Sequence, residues 1–179
     1  FWLSISAVMK EAARQFNIDL EVIYAERDHI RMQQQARDVA KRPLRPDYLI
    51  VVNEKLAADE MVKAADLAGL KVLVMSNVFT GEQAIQMGSP REKYKNWIGS
   101  LVPDNRFAGY QIAKRIIDQA KKSSAAKDGR LRLLAINGDA ATLAATQRLE
   151  GLKKAVSDHS NVELQQVFIG EWRQDRARE

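Results

Sequence analysis

Cysteine is absent from this chain of 179 residues. That removes disulfides, thiolate metal sites and cysteine nucleophiles, and leaves the redox compartment open. Histidine is scarce: His29 and His159 stand far apart without metal-ligand spacing, and both read as surface residues. None of the nine glycines forms a Gly-x-Gly pair and none directly precedes a lysine. A dinucleotide fingerprint and a P-loop are therefore both excluded. No Gly-x-Ser-x-Gly elbow occurs, and Ser124-Ala125-Ala126-Lys127 matches a serine-lysine pattern only by letters, inside a small polar linker. No carboxylates pair at a strand end. With no catalytic constellation, the chain reads as a non-enzyme that needs neither metal nor cofactor. No apolar run approaches the ~20 residues that span a bilayer.

What is present belongs to a soluble globular protein: 46% hydrophobic and 28% charged residues are too many and too few, respectively, for a disordered chain. The length allows one full domain, or one and part of another. The net charge of +5 invites a nucleic-acid reading. The basic residues are interleaved with acids, however, and even the densest groups (Lys41-Arg42 with Arg45, Lys121-Lys122, Arg173 to Arg178) read as solvated surface. Phe1-Trp2 opens the chain without an initiator methionine or leader, and Arg176 to Glu179 closes it within an expected helix, so both ends read as cut.

Periodicity predicts an alternation of strands and helices. Ser4 to Phe16 has helical spacing; Ile18 to Ala25 is expected as a strand; Asp28 to Lys41 is a polar helix stopped before Pro43. Tyr48 to Val52 and Lys71 to Met75 are β-branched strands around a helix over Ala57 to Ala68, which Gly69 terminates. These units recur roughly every 25 residues, the spacing of strand-helix-strand crossovers in a parallel sheet. Asn77 to Lys95 lacks a period and is expected as a long loop. Ile98 to Val102 is a short strand, and Pro103-Asp104-Asn105 opens a helix to about Lys121. Strands over Leu131 to Ile136 and Val162 to Phe168 then flank a helix over Ala141 to Ser157, and a last helix is expected from Gln174.

The most pointed stretch runs from Ala135 to Leu152. A buried strand ends in Asn137-Gly138-Asp139, with Asp139 as the expected helix cap. Ala145, Leu149, Leu152 and Val156 mark the packed face, with Arg148 at or off its edge. Strand-to-helix turns in open α/β sheets are where ligands sit. Asn53 and Ser76-Asn77 follow the two earlier strands, Phe1-Trp2 precedes the first helix, and Trp172 follows the last strand. Amides, an arginine and ring faces suit a neutral polyhydroxylated ligand.

On these residues the chain resembles the type I periplasmic binding proteins, and within them the sugar receptors of ribose, galactose and autoinducer-2 type. The resemblance runs through Phe1-Trp2 ahead of Met9 and Ala12-Ala13, Pro46 to Asn53, and Ala68 to Val72. Its most specific parts are Pro103-Asp104-Asn105-x-x-Ala108-Gly109-Tyr110 and Asn137-Gly138-Asp139 leading to Gln147 through Leu152. It implies two doubly wound parallel-sheet domains, here over 1–102 and 103–179, with the first strand and most of the second domain missing and an exposed, incomplete sheet. It implies ligand contacts from Phe1, Trp2, Asn53, Ser76, Asn77, Asp139, Arg148 and Trp172, and a hinge at Asp104 and Asn105. Ser76-Asn77 stands where ribose-type receptors carry an acid-arginine pair, and the loop Thr80 to Lys95 is larger than theirs. The implied function is periplasmic binding of a sugar-like solute by a monomeric receptor, delivered to an ABC transporter permease by hinge closure, with no nucleic acid contact through this segment. Two alternatives share the fold: the effector domain of a lactose-repressor-type regulator, and the sensor domain of a histidine kinase.

Overall fold

A computed structural model describes residues 2–122, 129–140 and 142–178. Phe1 and the Ser124 to Lys127 match lie outside the described residues. In chain order the elements are α1 (Trp2–Gln15), α2 (His29–Ala40), β1 (Tyr48–Val52), a 3-10 turn (Glu54–Leu56), α3 (Ala58–Leu67), β2 (Lys71–Met75) and α4 (Gly81–Met87). They continue as β3 (Trp97–Leu101), α5 (Asn105–Lys122), β4 (Leu131–Asn137), α6 (Leu143–Ser157) and β5 (Val162–Ile169). Two parallel sheets result, one of three strands in the order β1-β2-β3 and one pairing β4 with β5.

Local signals explain most boundaries. Asp28 Oδ1 accepts from Ile30 N and Arg31 N at 2.9 and 3.0 Å, starting α2. Asp104 Oδ1 accepts from Phe107 N at 2.9 Å and starts α5. At the end of α3, Gly69 takes φ +70° while Leu70 N reaches back to Ala65 O at 2.9 Å, a left-handed stop that glycine adopts without strain. One core gathers Val51, Met61, Val62, Val72, Val74, Met87 and Trp97, and Phe79 meets Trp97 edge to face at 5.1 Å. A smaller core joins Ala113, Ile117, Leu131, Ala155 and Val162. Tyr48, Ile50, Leu134, Ile136 and Phe168 remain exposed on the sheets. Parallel sheets are normally covered on both faces, so the expected incomplete, exposed sheet is what the structure displays.

Four expectations need correction. Ile18 to Ala25 pairs with no strand among the described residues; its β-branched composition favours an extended backbone but cannot supply the neighbour that completes a ladder. The expected loop after Asn77 contains α4, too short to register as a period, whose Ala84 and Met87 seal the first core. Beyond Gln174 the chain makes turns rather than a helix: Ala177 N bonds Arg173 O at 3.1 Å, but the ladder does not propagate. A nucleus of one turn without tertiary packing is unfavourable. Finally, Thr142 rather than Asp139 occupies the cap position of α6, and the most buried residues of that helix are Ala145, Gly151 and Ala155. Arg148 shares that face at helical spacing, and the face packs on α5.

The α5–α6 contact is set by two glycines. A Cβ built on Gly109 would overlap Arg148 O, and one on Gly151 would overlap Arg106 O and stand 2.6 Å from Tyr110 N. The backbones touch, with no room for a methyl group. Gly151→Ala should force the helices apart and cost about 1–3 kcal/mol, the usual penalty of overpacking. A lowered urea midpoint is the expected reading; an unchanged midpoint would mean that the helices do not cross this closely.

Candidate ligand-binding cleft

The carboxyl ends of β1 and β2 meet the start of α6 across a narrow gap. Asn53, Lys55, Leu56, Asn77, Val78 and Thr80 line one side and Thr142 with Leu143 the other, around a cavity of about 20 Å³. That is room for about one water. A larger hollow of about 380 Å³ lies on α1 at Ser4, Ile5, Val8 and Met9. It is the outer surface of one helix without converging polar groups, so the cleft is the better site.

The first wall is stiffened by Asn53, which is 4% exposed. Its Nδ2 donates to Val78 O at 3.0 Å and Gln83 Oε1 at 3.2 Å, and its Oδ1 accepts from Ala58 N at 3.0 Å. Both donors are thereby used, so Asn53 braces three segments of the wall and keeps at most one lone pair for a ligand. Asn77 differs. It is 9% exposed, and its buried Oδ1 has no hydrogen-bond partner among the described residues. Ser76, which is not among the cavity-lining residues, takes φ 72° while its N–H reaches Leu101 O at 2.9 Å. Lys55 and Leu56 are also left-handed, at φ 47° and 62°. Non-glycine residues pay steric strain there, and such strain gathers at functional sites.

The second wall is a stack. Trp172, itself left-handed at φ 59°, lays its indole on Gly138, where a Cβ would stand 2.6 Å from Trp172 Cδ2. Its Nε1 donates to Thr142 Oγ1 at 3.3 Å, and Thr142 Oγ1 in turn donates to Asp139 O at 2.7 Å. Asp139 thus holds the turn through its carbonyl. The Arg148 guanidinium lies 5.8 Å from the Trp172 ring centroid, within cation–π range. Its Nε donates to Asn105 Oδ1 at 3.0 Å.

The structure therefore brings Asn53 and Asn77 together at the cavity, and Asp139, Arg148 and Trp172 together beside it, joined through Thr142. Trp2, on the first turn of α1 with its carbonyl accepting from Ser6 Oγ at 2.8 Å, does not line the cavity. Lys55, Leu56, Val78, Thr80, Thr142 and Leu143 do, and sequence reasoning missed them. Only their adjacency to strand ends could have signalled them. Among the described residues no three His, Asp or Glu side chains converge to hold a metal. Arg173 lowers Asp175 to about 2 and Lys114 lowers Asp118, both in surface ion pairs, whereas backbone N–H groups of Arg31 and Ser89 lower Asp28 and Glu92.

Across residues 1–179 the chain matches the family model of the periplasmic binding protein domain. The chain belongs to this family. Its parallel α/β architecture is that of the type I periplasmic binding proteins. A periplasmic sugar-binding protein from Pseudomonas fluorescens is 35% identical, with a TM-score of 0.79 over 98% of this chain and 49% of that one. An ABC transporter periplasmic solute-binding protein from Actinobacillus succinogenes 130z with bound D-allose is 19% identical, with a TM-score of 0.80 over 98% and 56%. The periplasmic binding protein component of the arabinose ABC transporter from Shewanella sp. ANA-3, bound to α- and β-L-arabinofuranose, is 16% identical, with a TM-score of 0.74 over 97% and 52%. The last two show the fold alone. The chain spans about half the length of these relatives, and no curated protein sequence matches it.

Gly138→Ala tests the second wall. The added methyl should push the indole off Gly138 and out from beneath Arg148, shifting the tryptophan emission and costing about 0.5–1 kcal/mol, the value of an exposed cation–π contact. Emission and melting profiles that match the parent's would show that Trp172 does not rest there.

Proposed function

We propose that this periplasmic binding protein domain carries one half or more of a cleft that captures a sugar-like solute, as the receptor of an ABC-type uptake system. Residues 1–102 act as one domain and 103–179 as part of the second, with the hinge at Asp104 and Asn105. Phe1, Trp2, Asn53, Ser76, Asn77, Asp139, Arg148 and Trp172 are the proposed ligand-facing set. The receptor works as a monomer in the periplasm and docks on a membrane permease.

The observation that carries this reading is the convergence of Asn53, Asn77 and Thr80 with Thr142 on one small cavity, beside an arginine stacked on an indole. Amides and hydroxyls match ring hydroxyls, the guanidinium offers a fork of donors, and the indole face suits the C–H face of a sugar. The sugar-binding relative at 35% identity supports the same class.

A monosaccharide is far larger than the cavity of about 20 Å³. Entry therefore requires Thr142 and Leu143 to move away from Lys55 and Leu56, and bound sugar then favours the state in which both walls touch it. The size of that shift is the difference in contact free energy between closed and open states.

A thermal-shift panel of pentoses, hexoses, polyols and furanosyl compounds on the full-length protein should find at least one stabilising sugar. For that sugar, Arg148→Ala should weaken binding by roughly 1.5–3 kcal/mol in calorimetry, the value of a hydrogen bond to a charged group. Unchanged affinity would remove Arg148 from the site, and a panel without a stabilising sugar would overturn the sugar-binding reading.

A further inference from the structure

Asn105 lies in the first turn of α5, is 1% exposed, and uses only half of its amide. Its Oδ1 accepts from Arg148 Nε at 3.0 Å, whereas its buried Nδ2 has no partner among the described residues. The amide cannot be turned round, because arginine Nε–H only donates and must face an oxygen. An unpaired buried donor costs stability, and an apolar side chain of the same branching, such as leucine, carries no such donor. The fold therefore does not explain the asparagine. What it alone supplies is an acceptor on Arg148 Nε.

An acceptor at Nε fixes the plane of a guanidinium and turns its two Nη groups outward as a pair, the geometry that grips two oxygens at once. The same guanidinium carbon lies over the Trp172 ring, 5.8 Å from its centroid. The short asparagine side chain reaches Arg148 because Gly109 and Gly151 let the two helices touch.

We propose that Asn105 is a positioning residue for Arg148: it presets the guanidinium as a two-pronged donor for adjacent ligand hydroxyls, at the expense of fold stability. The inference rests on the reading of Arg148 as a ligand residue given above.

The test uses the full-length protein and, as probe, the tightest-binding sugar of the pentose and hexose panel, D-allose and L-arabinose included. Asn105→Leu should lower affinity about tenfold. Asn105→Asp, which keeps the acceptor, should hold affinity within about threefold of the parent. In an Arg148→Ala background Asn105→Leu should have no further effect, because the two changes act through one contact. The Arg148 Nε–H resonance in nitrogen-15 NMR, observable without sugar, should broaden or move in Asn105→Leu and persist in Asn105→Asp. An equal loss of affinity in both backgrounds, an unaltered Nε–H resonance, or earlier melting with intact affinity would each overturn the proposal. If no sugar binds, or Arg148→Ala binds as the parent does, the functional reading itself fails and this inference with it.

Discussion

Backbone contact between α5 and α6 at Gly109 and Gly151 governs the second half of the molecule. Two helices that approach this closely gain dispersion contacts along their length and bury Ala113, Ile117 and Ala155 against β4 and β5. The ion pair between Arg106 and Glu150 crosses the same seam, but both partners are more than half exposed, so solvent screens it and it adds little. The seam matters more for what it positions. It brings the start of α5 beside the second turn of α6, so that Asn105 meets Arg148.

The two walls of the cleft are built by different physics. The first is a hydrogen-bonded frame: Asn53 ties β1 to the segment after β2 and to the first residue of α3, and Gln83 Nε2 adds a bond to Leu56 O at 2.6 Å. Such a frame holds strained residues such as Lys55, Leu56 and Ser76 in place. The second wall is a layered stack of glycine, indole and guanidinium with one hydroxyl bridge at Thr142. A rigid frame facing a stack on a separate sheet suits a site whose halves approach and withdraw. The small cavity lies between them.

Much of this could be read along the chain. The strands Tyr48 to Val52, Lys71 to Met75 and Leu131 to Ile136 are β-branched or aliphatic runs between turn signals, and local composition suffices to place them. Asp28 starts its helix and Gly69 stops its own by geometry confined to a few residues. The misses have the opposite character. Ile18 to Ala25 required a partner strand, α4 required a core to lie on, and the segment after Gln174 required a surface that would stabilise its first turn. At the candidate site, Asn53, Asn77 and Trp172 were legible as polar or aromatic residues next to strand ends, and Arg148 as an arginine on the helix that follows one. The assignment of Asn53 to bracing was not, because its partners Val78 and Gln83 lie far along the chain.

Amino-acid order alone was enough to set the class of fold, the strand-helix alternation, the exclusion of thiol chemistry and the set of strand ends where a ligand could sit, since all of these follow from local propensity and residue type. It was also enough for the family, whose motifs survive as short contiguous patterns. Three-dimensional packing settled the rest. Which face of α6 is buried, why Arg148 lies on that face, how Trp172 comes to rest on Gly138, and that Asn105 meets Arg148 through one half of its amide all depend on helices and turns separated in sequence. Those contacts are set by excluded volume and hydrogen-bond direction between distant segments, which no window along the chain contains.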